Sequence, residues 1–377
     1  MAAGLSATPA AGRREVRWTG LVAALAAAAW LLSLSPGPAG GGGARSATPS
    51  LGSVWPDATR GSVSGSLPDG TAYTPNFFLD AGTSIGQALT PDEASVRLLV
   101  VRAPDSVREL RRLPATAAPQ FFGFTAAGGR VAWAESVADA TGTRTTSMWV
   151  TRAGGVDAAH RIMPDAGDVR QTDSAHELAI VDGRLHWTVV APGDTPTTEL
   201  RSVALDGGGA RSEPVPGLWS PVGWPWLLDA SGAVVGGRVR LMDRVQRATK
   251  DVATGQTDFP ECGATWCRVL VLDDAGDGRV DLVRVDGTQR RRIAGSDMGF
   301  PVTDVAVLDR FEVLTSFASG ARVGQGRPLL LYDLARAGVV TVAPDAVTVF
   351  SRGGFLWWSS GFEDRVSWNA VDLRTLS

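Results

Sequence analysis

The sequence has 377 residues, of which 44% are hydrophobic and 20% are charged, so the chain is globular and long enough to bury a large core. Residues 1–45 hold four of the 36 basic residues and one of the 39 acidic ones, which leaves 32 basic and 38 acidic residues in the remaining chain. Because phosphate binding requires clustered Lys and Arg, this balance argues against nucleic acid as a partner.

The N-terminal region has the pattern of a membrane anchor. Residues 18–35 carry no charge, and as a helix they would span about 27 Å, close to the ~30 Å hydrocarbon core of a bilayer. Arg13, Arg14 and Arg17 precede this segment and favour a cytoplasmic N-terminus. We therefore predict a short basic cytoplasmic segment over residues 1–17 and a single-pass transmembrane signal anchor over residues 18–35, with the rest of the chain outside the cytoplasm.

A stretch rich in Gly, Pro and Ser follows the apolar segment. Residues 36–54 are predicted to form a flexible tether, and residues 55–377 an extracytoplasmic domain. A cleaved signal peptide is the alternative to an anchor, since Gly42 and Ala44 form a weak small-residue cleavage site. The protein would then be secreted.

Short β-rich runs separated by turn residues dominate the predicted domain. Residues 183–190 and 199–206 are two such runs with a Pro-Gly-Asp turn sequence between them, which is typical of a pair of antiparallel strands. The 45 Gly and 22 Pro of the chain also indicate frequent turns. We therefore predict an all-β fold.

Two sequence landmarks recur along the chain. The first is a Gly followed four positions later by a Trp, in Gly129–Trp133, Gly183–Trp187 and Gly353–Trp357. The second is an apolar strand that ends in an aspartate, at Asp206, Asp251, Asp286, Asp333 and Asp372. These aspartates recur about every 40 residues, which is the length of a propeller blade of the WD40 kind.

The repeats predict a β-propeller of seven four-stranded blades, with six blades as the alternative. The blade landmarks lie near residues 102, 152, 206, 251, 286, 333 and 372. Because the last landmark is almost at the C-terminus, we expect a segment between Trp55 and Pro75 to supply the outer strand of the final blade and close the ring. Trp133, Trp187 and Trp357 are then predicted to pack between blades, since a single blade cannot bury both of its faces.

The strand ends resemble those of the TolB-like and WD40-like propellers of bacteria. The resemblance rests on residues 251–255 (Asp-Val-Ala-Thr-Gly), residues 332–334 (Tyr-Asp-Leu) and the Asp-Gly hairpin ends, and it covers residues 55–377. The Gly-His and Trp-Asp pairs of true WD40 repeats do not occur in the sequence. Together with the predicted anchor, the resemblance implies scaffolding or binding at the cell envelope, and it implies no catalytic residue.

The chain has two cysteines, Cys262 and Cys267. A structural zinc site normally has four Cys or His ligands, and no second pair lies nearby in the sequence, so zinc is disfavoured. Outside the cytoplasm we expect a disulfide between Cys262 and Cys267 that closes a tight loop. Two buried free thiols are the alternative.

Five tryptophans are candidate contacts for a ligand. They are Trp219, Trp224, Trp226, Trp358 and Trp368, which form one cluster beside prolines and one near the C-terminus. Exposed aromatic rings in propeller loops can stack on sugar rings or on peptides. Packing in the core is the alternative.

The sequence contains no recognisable catalytic, cofactor or metal motif. His160, His176 and His186 lack metal-ligand spacing, although His176 and His186 flank a predicted turn and would face each other across a hairpin. Residues 273–281 resemble a calcium loop, but Arg284 occupies the position of its bidentate Glu, so we predict an acidic hairpin turn. We therefore predict no catalytic residue, no cofactor and no metal site.

These observations favour a non-enzymatic, monomeric propeller that is anchored in the lipid bilayer by residues 18–35 and binds an envelope protein or polymer. The alternative is a propeller enzyme, of the glycan hydrolase, lyase or lactonase type, with its site in the central channel. Such a site would need carboxylates, histidines or a metal ion that converge on the axis.

Overall fold

The structure, a computed structural model, describes residues 48–377 except 105, 155–157, 230–238, 254, 256–257, 273–277, 318–325 and 363–364. In this part of the chain the strands form seven antiparallel sheets of four strands each. Each sheet packs face to face on the next, so the sheets are the blades of a seven-bladed β-propeller. The predicted all-β fold and the favoured blade number are thereby confirmed.

The strands are numbered in chain order, and the first strand of blades 1 to 6 lies beside the channel. Blades 1 to 3 contain β2 (Thr74–Asp80), β3 (Thr83–Leu89), β4 (Ser95–Arg102) and β5 (Ser106–Pro114); β6 (Gln120–Ala127), β7 (Arg130–Ala138), β8 (Arg144–Arg152) and β9 (His160–Met163); β10 (Ala179–Val181), β11 (Arg184–Val190), β12 (Thr197–Ala204) and β13 (Arg211–Pro216).

Blades 4 to 7 complete the ring. They contain β14 (Trp219–Pro221), β15 (Trp226–Asp229), β16 (Arg240–Asp243) and β17 (Thr249–Asp251); β18 (Phe259–Cys262), β19 (Trp266–Leu272), β20 (Gly278–Arg284) and β21 (Arg291–Gly295); β22 (Met298–Gly299), β23 (Phe311–Ser316), β24 (Arg327–Asp333) and β25 (Gly338–Ala346); β26 (Val349–Arg352), β27 (Phe355–Ser360) and β28 (Ser367–Asp372), with β1 (Arg60–Ser64) as outer strand. Helical elements in the described part of the chain include α1 (Leu51–Val54) and two 3-10 turns, Ala115–Ala117 and Leu373–Thr375.

The N-terminal strand closes the ring. β1 runs antiparallel to β28, with Arg60 opposite Val371 and Ser64 opposite Ser367, so it is the fourth strand of blade 7. The expected closure by a segment that follows Trp55 is therefore confirmed. Because β28 would otherwise present an unpaired edge, this pairing holds both ends of the described chain in one sheet.

The aspartate landmark marks the end of the third strand of a blade. Asp286 Oδ1 accepts the backbone N–H of Thr288 at 2.9 Å, a side-chain turn that suits the tight connection to the fourth strand. In blade 4 the equivalent residue is Asp243, whose Oδ1 accepts the N–H of Val245 at 2.8 Å. Asp251, which marked this blade in the sequence, instead ends the outer strand β17 and lies one strand later than predicted.

The compact unit that contains the propeller begins at Thr48, before Trp55. The N–H of Thr341, in β25, donates to the carbonyl oxygen of Pro49 at 2.8 Å, and α1 follows directly. Leu51 and Trp55 are each 3% exposed and pack among residues of blades 6 and 7. The end of the predicted tether therefore belongs to the propeller, because its apolar side chains are buried there.

The tryptophans of the Gly-to-Trp landmark lie between blades, as predicted. Trp133, Trp187 and Trp357 are 0%, 1% and 2% exposed. Trp133 packs between blades 1 and 2, Trp187 between blades 2 and 3, and Trp357 between blades 7 and 1. Burial of apolar surface at each such interface stabilises the ring.

Some sequence predictions lie outside the described residues. These are the cytoplasmic segment, the anchor, most of the tether and the alternative cleavage site, all within residues 1–47, and most of the acidic hairpin turn, residues 273–277. Among the helices in the described part of the chain, none is long and apolar enough to cross a membrane.

Candidate functional site

Two loops cross the central channel and meet. The inner strands of blades 3 and 6, β10 and β22, are only three and two residues long, and the chain beside them forms loops at residues 164–178 and 300–310, called here the crossing loops. Ser174 Oγ donates a hydrogen bond to Asp304 Oδ1 at 2.6 Å, and the N–H of Ala175 donates to Oδ2 at 2.8 Å. Because blades 3 and 6 are not neighbours, these bonds span the channel.

A buried ion pair holds the crossing loop of blade 6. Arg268 Nε, in blade 5, donates to Glu312 Oε1 at 2.7 Å. Its Nη2 also lies 3.3 Å from the carbonyl oxygens of Val302 and Asp304. The second oxygen of Glu312 accepts the N–H of Ala306 at 2.8 Å. Burial raises the pKa of Glu312, and the charge of Arg268 opposes that rise.

A second ion pair ties the crossing loop of blade 3 to blade 7. Arg352 Nη2 donates to Glu177 Oε2 at 3.3 Å, and the Glu177 side chain is 2% exposed. Glu177 Oε1 also accepts the N–H of Asp173 at 2.9 Å. The loop packs on Gly123, which has a φ of +64°, and a Cβ at this glycine would lie 2.9 Å from Leu178 Cγ. The position therefore requires glycine, both because of its positive φ and because a side chain would collide with Leu178.

The crossing loops lie between two cavities. The aromatic cavity has a volume of about 350 Å³, and its lining includes Asn76, Gln87, Phe122, Phe350, Arg352 and Trp357. The disulfide cavity has a volume of about 610 Å³, and its lining includes Pro221, Val222, Leu228, Cys262, Phe300 and Asp304. Thr303, in the crossing loop of blade 6, lines both cavities.

The two cysteines form a disulfide, as predicted. Cys262 in β18 and Cys267 in β19 lie opposite each other, and their sulfur atoms are 2.11 Å apart. The bond joins the first two strands of blade 5 at the wall of the disulfide cavity. It thereby links the two strands directly beside Arg268, which holds the crossing loop.

A serine, an aspartate and a histidine lie together at the crossing. The Ser174 hydroxyl donates to Asp304 and accepts the backbone N–H of His176 at 3.1 Å. His176 Nε2 lies 3.9 Å from the same carboxylate. A serine nucleophile requires a base that accepts its proton, and here the hydroxyl proton points to the aspartate instead of the imidazole. Among the described residues, no group of three or more His, Cys, Asp or Glu could hold a metal ion.

Three of the five candidate tryptophans are buried. Trp219, Trp358 and Trp368 are 5%, 8% and 5% exposed. Trp224 is 39% exposed in the first hairpin of blade 4, and Trp226 is half-buried at its end. Contact with a ligand therefore stays a prediction for Trp224 and Trp226, the two that reach the surface.

The exposed Trp224 belongs to a cluster with His186 and Arg244. Its ring lies 4.6 Å from that of His186 and 5.2 Å from the guanidinium carbon of Arg244. Burial, and then the charge of Arg244, lower the pKa of His186 to about 4, so this imidazole is neutral at pH 7. His186 lies opposite Ala179 in the hairpin, and not opposite His176 as expected.

Sequence reasoning did not identify the groups that build the crossing. Ser174 and Asp304 are 130 positions apart, and Glu177 and Arg352 are 175 apart. No local pattern links residues so distant in the chain. The usable signal was the length of the two crossing loops, since connections between strands in compact domains are usually much shorter.

These features define the class of protein, a closed seven-bladed β-propeller whose channel is crossed by two inner loops. The chain matches no family model and no curated protein. Similar solved structures include a puromycin-hydrolyzing peptidase of Mycobacterium tuberculosis, with 14% identity and a TM-score of 0.44 over 81% of this chain and 52% of that chain.

Two further similar structures come from other organisms. One is the β-propeller domain of the Trilobed protease from Pyrococcus furiosus, with 8% identity and a TM-score of 0.41 over 65% of this chain and 78% of that chain. The other is TolB from Acinetobacter baumannii, with 8% identity and a TM-score of 0.36 over 77% of this chain and 64% of that chain. The present chain spans about half the length of the mycobacterial peptidase. At these identities and TM-scores, the similarity supports neither an activity nor a partner.

Proposed function

We propose that this chain is a non-enzymatic binding module that is held outside the cytoplasm by a membrane anchor and binds an envelope protein or polymer at its central channel. The observation that carries the proposal is the hydrogen-bonded crossing of the channel. The two ion pairs and the Ser174–Asp304 hydrogen bond that build the crossing engage their own groups with one another, and open volume remains on both sides. Paired groups favour a rigid, preorganised binding surface, whereas catalysis requires an acid, base or nucleophile that is free to react.

A photo-crosslinking amino acid at Thr303 tests where the partner binds. Thr303 is exposed and lines both cavities, so p-benzoylphenylalanine at this position is expected to crosslink the chain to its partner in cells of the native host. Val107, which is 38% exposed on the outer strand of blade 1, is the matched control and is expected to give no adduct. Adducts of equal yield at both positions, or none at either, would contradict binding at the channel.

Fractionation tests the anchor. If residues 18–35 span the bilayer, the full-length chain is expected to stay in membranes washed with high salt and carbonate, and mass spectrometry should find this segment in the mature protein. A soluble chain shortened by about forty residues would instead establish a cleaved signal peptide and a secreted module.

A further inference from the structure

The wall of the aromatic cavity presents an aromatic ring to the open space. Phe350, in the inner strand β26, lines this cavity and is 37% exposed. Its ring centroid lies 5.6 Å from that of Trp357 and 6.2 Å from that of Trp368, with tilts of 30° and 33°. The two buried tryptophans thus hold the exposed ring in place. A ring that is fixed in this way offers a flat apolar platform to a ligand.

The same wall contains two buried polar atoms that have no hydrogen-bond partner in the protein. They are Oδ1 of Asn76, an acceptor, and Nε1 of Trp357, a donor, and both residues line the aromatic cavity. Asn76 lies at an irregularity in the pairing of β2 with β3, between Pro75 and Phe77, where a bulge redirects a side chain. Both atoms have almost no accessible surface, and Nε1 of Trp133, at the same landmark position in blade 2, is unpaired as well, so these atoms do not by themselves indicate a ligand.

The other polar side chains of the cavity also combine donors and acceptors. Gln87 and Gln171 carry amide groups, each of which donates and accepts. Arg352 is paired with Glu177, so its charge is already compensated, and Asp173 adds one further carboxylate to the lining. The wall therefore suits a neutral ligand that is rich in hydroxyl groups better than an anion.

We propose that the aromatic cavity binds a neutral sugar ring of an envelope glycan. One face of a sugar ring consists of C–H groups and fits against the ring of Phe350. Its hydroxyl groups each donate and accept, which matches the amide groups of Gln87 and Gln171 in the wall. The assignment rests on the proposed binding function, and it names the ligand class for one of the two cavities.

Tryptophan fluorescence of the full-length chain tests the assignment, because Trp357 lies in the cavity wall. The probes are the methyl glycosides of glucose, mannose, galactose and N-acetylglucosamine, with cyclohexanol as the control ring, in a detergent without a sugar headgroup. We expect a saturable change with at least one glycoside and none with cyclohexanol. No saturable change with any glycoside overturns the proposal.

Substitutions in the wall locate the site. Phe350→Ala and Gln87→Ala are each expected to weaken glycoside binding about tenfold, because each removes one contact to the ring or its hydroxyl groups. Phe259→Ala, which removes a phenylalanine of blade 5 that is 39% exposed, is the matched control and leaves binding unchanged. Should Phe350→Ala fail to fold, Phe350→Leu keeps the bulk and removes the aromatic platform. Undiminished binding in the folded variants overturns the assignment to this cavity.

The Thr303 crosslink separates this inference from the proposed function. A specific crosslink at Thr303 with no glycoside binding leaves the binding module intact and overturns only the sugar assignment. Failure of both experiments overturns both proposals.

Discussion

Arg268 shows how a single buried charge positions the crossing. Its side chain is 6% exposed and contacts two carboxylates, the fully buried Glu312 and the exposed Glu261. Removing a charged pair from water is costly, and the cost is offset only when each charge keeps its partner and its hydrogen bonds. Here the pair also binds the backbone of the crossing loop, so its geometry determines the shape of the site.

Glu312→Gln tests this ion pair. We expect the free energy of unfolding to fall by about 3 kcal/mol, because the buried Arg268 loses the carboxylate that compensates its charge. Chemical denaturation followed by circular dichroism measures the change. Glu213→Gln, which breaks an exposed pair with Arg247, is the control and should cost less than about 1 kcal/mol. Equal losses in the two variants would refute the importance of burial.

His186 should make stability depend on pH. Its pKa is about 4 in the folded chain, against an ordinary value of 6.5. Between these values the unfolded chain binds more protons than the folded chain, so the free energy of unfolding should fall as the pH is lowered from 6.5 to 4. His186→Gln is expected to reduce that fall in thermal unfolding measured across this range. An equal fall in the His186→Gln variant would contradict this assignment.

β1 is the element on which closure of the ring depends. Its five residues pair along β28, and Val63 is buried at 3% exposure in the interface between blades 7 and 1. Without β1, the edge of β28 would be open to pairing with another chain. A strand distant in sequence therefore completes a sheet that the C-terminal region cannot complete alone.

Truncation tests the role of β1. Removal of residues 1–64 is expected to yield a less stable protein that self-associates, since both the edge of β28 and apolar surface become exposed. Size-exclusion chromatography and thermal unfolding measure both effects. The matched control lacks residues 1–47, keeps α1 and β1, and should remain monomeric. A monomeric and equally stable protein without β1 would argue against the need for this strand.

At the scale of the whole molecule, contacts between neighbouring blades build the ring and contacts between distant blades build the site. Seven apolar clusters in the described chain each join one blade to the next. The crossing adds links between blades 3 and 6 and between blades 3 and 7. We therefore expect the crossing loops to open locally without unfolding of the blades.

Asp304→Asn tests that independence. An amide cannot replace both bonds that the carboxylate accepts from Ser174 and Ala175, so hydrogen exchange over residues 170–178 and 300–306 should accelerate about tenfold. Exchange in the blade strands and the thermal midpoint should change little. Asp286→Asn, in a turn of blade 5, is the control and should leave both loops unaffected. Uniform acceleration across all blades would show instead that the crossing stabilises the whole ring.

Local features explain what could be predicted in advance. The Asp-Gly turns, the Gly-to-Trp landmark and the cysteine spacing each depend on residues within one hairpin. The blades, the tryptophans between them and the disulfide could therefore be predicted from the sequence. The predicted landmark of blade 4 lay one strand too late. Asp251 and the turn residue Asp243 both end an apolar or polar strand with an aspartate, and the neighbouring sequence does not show which of them precedes the turn to the outer strand. Burial of Trp219 was equally undecided, because it depends on the neighbouring blade.

The sequence by itself determined the all-β class, the seven repeats, the closing strand and the disulfide. Each of these depends on the apolar pattern of single strands, on turn residues or on the cysteine spacing, which are all local in the chain. Only the tertiary structure decided the site. Ser174 meets Asp304, and Asn76 shares a cavity with Trp357, through folding of the ring, since these residues lie on different blades and far apart in the chain. The same packing between distant strands decides which tryptophans are buried and which polar atoms stay unpaired. The sequence of one strand does not contain this information.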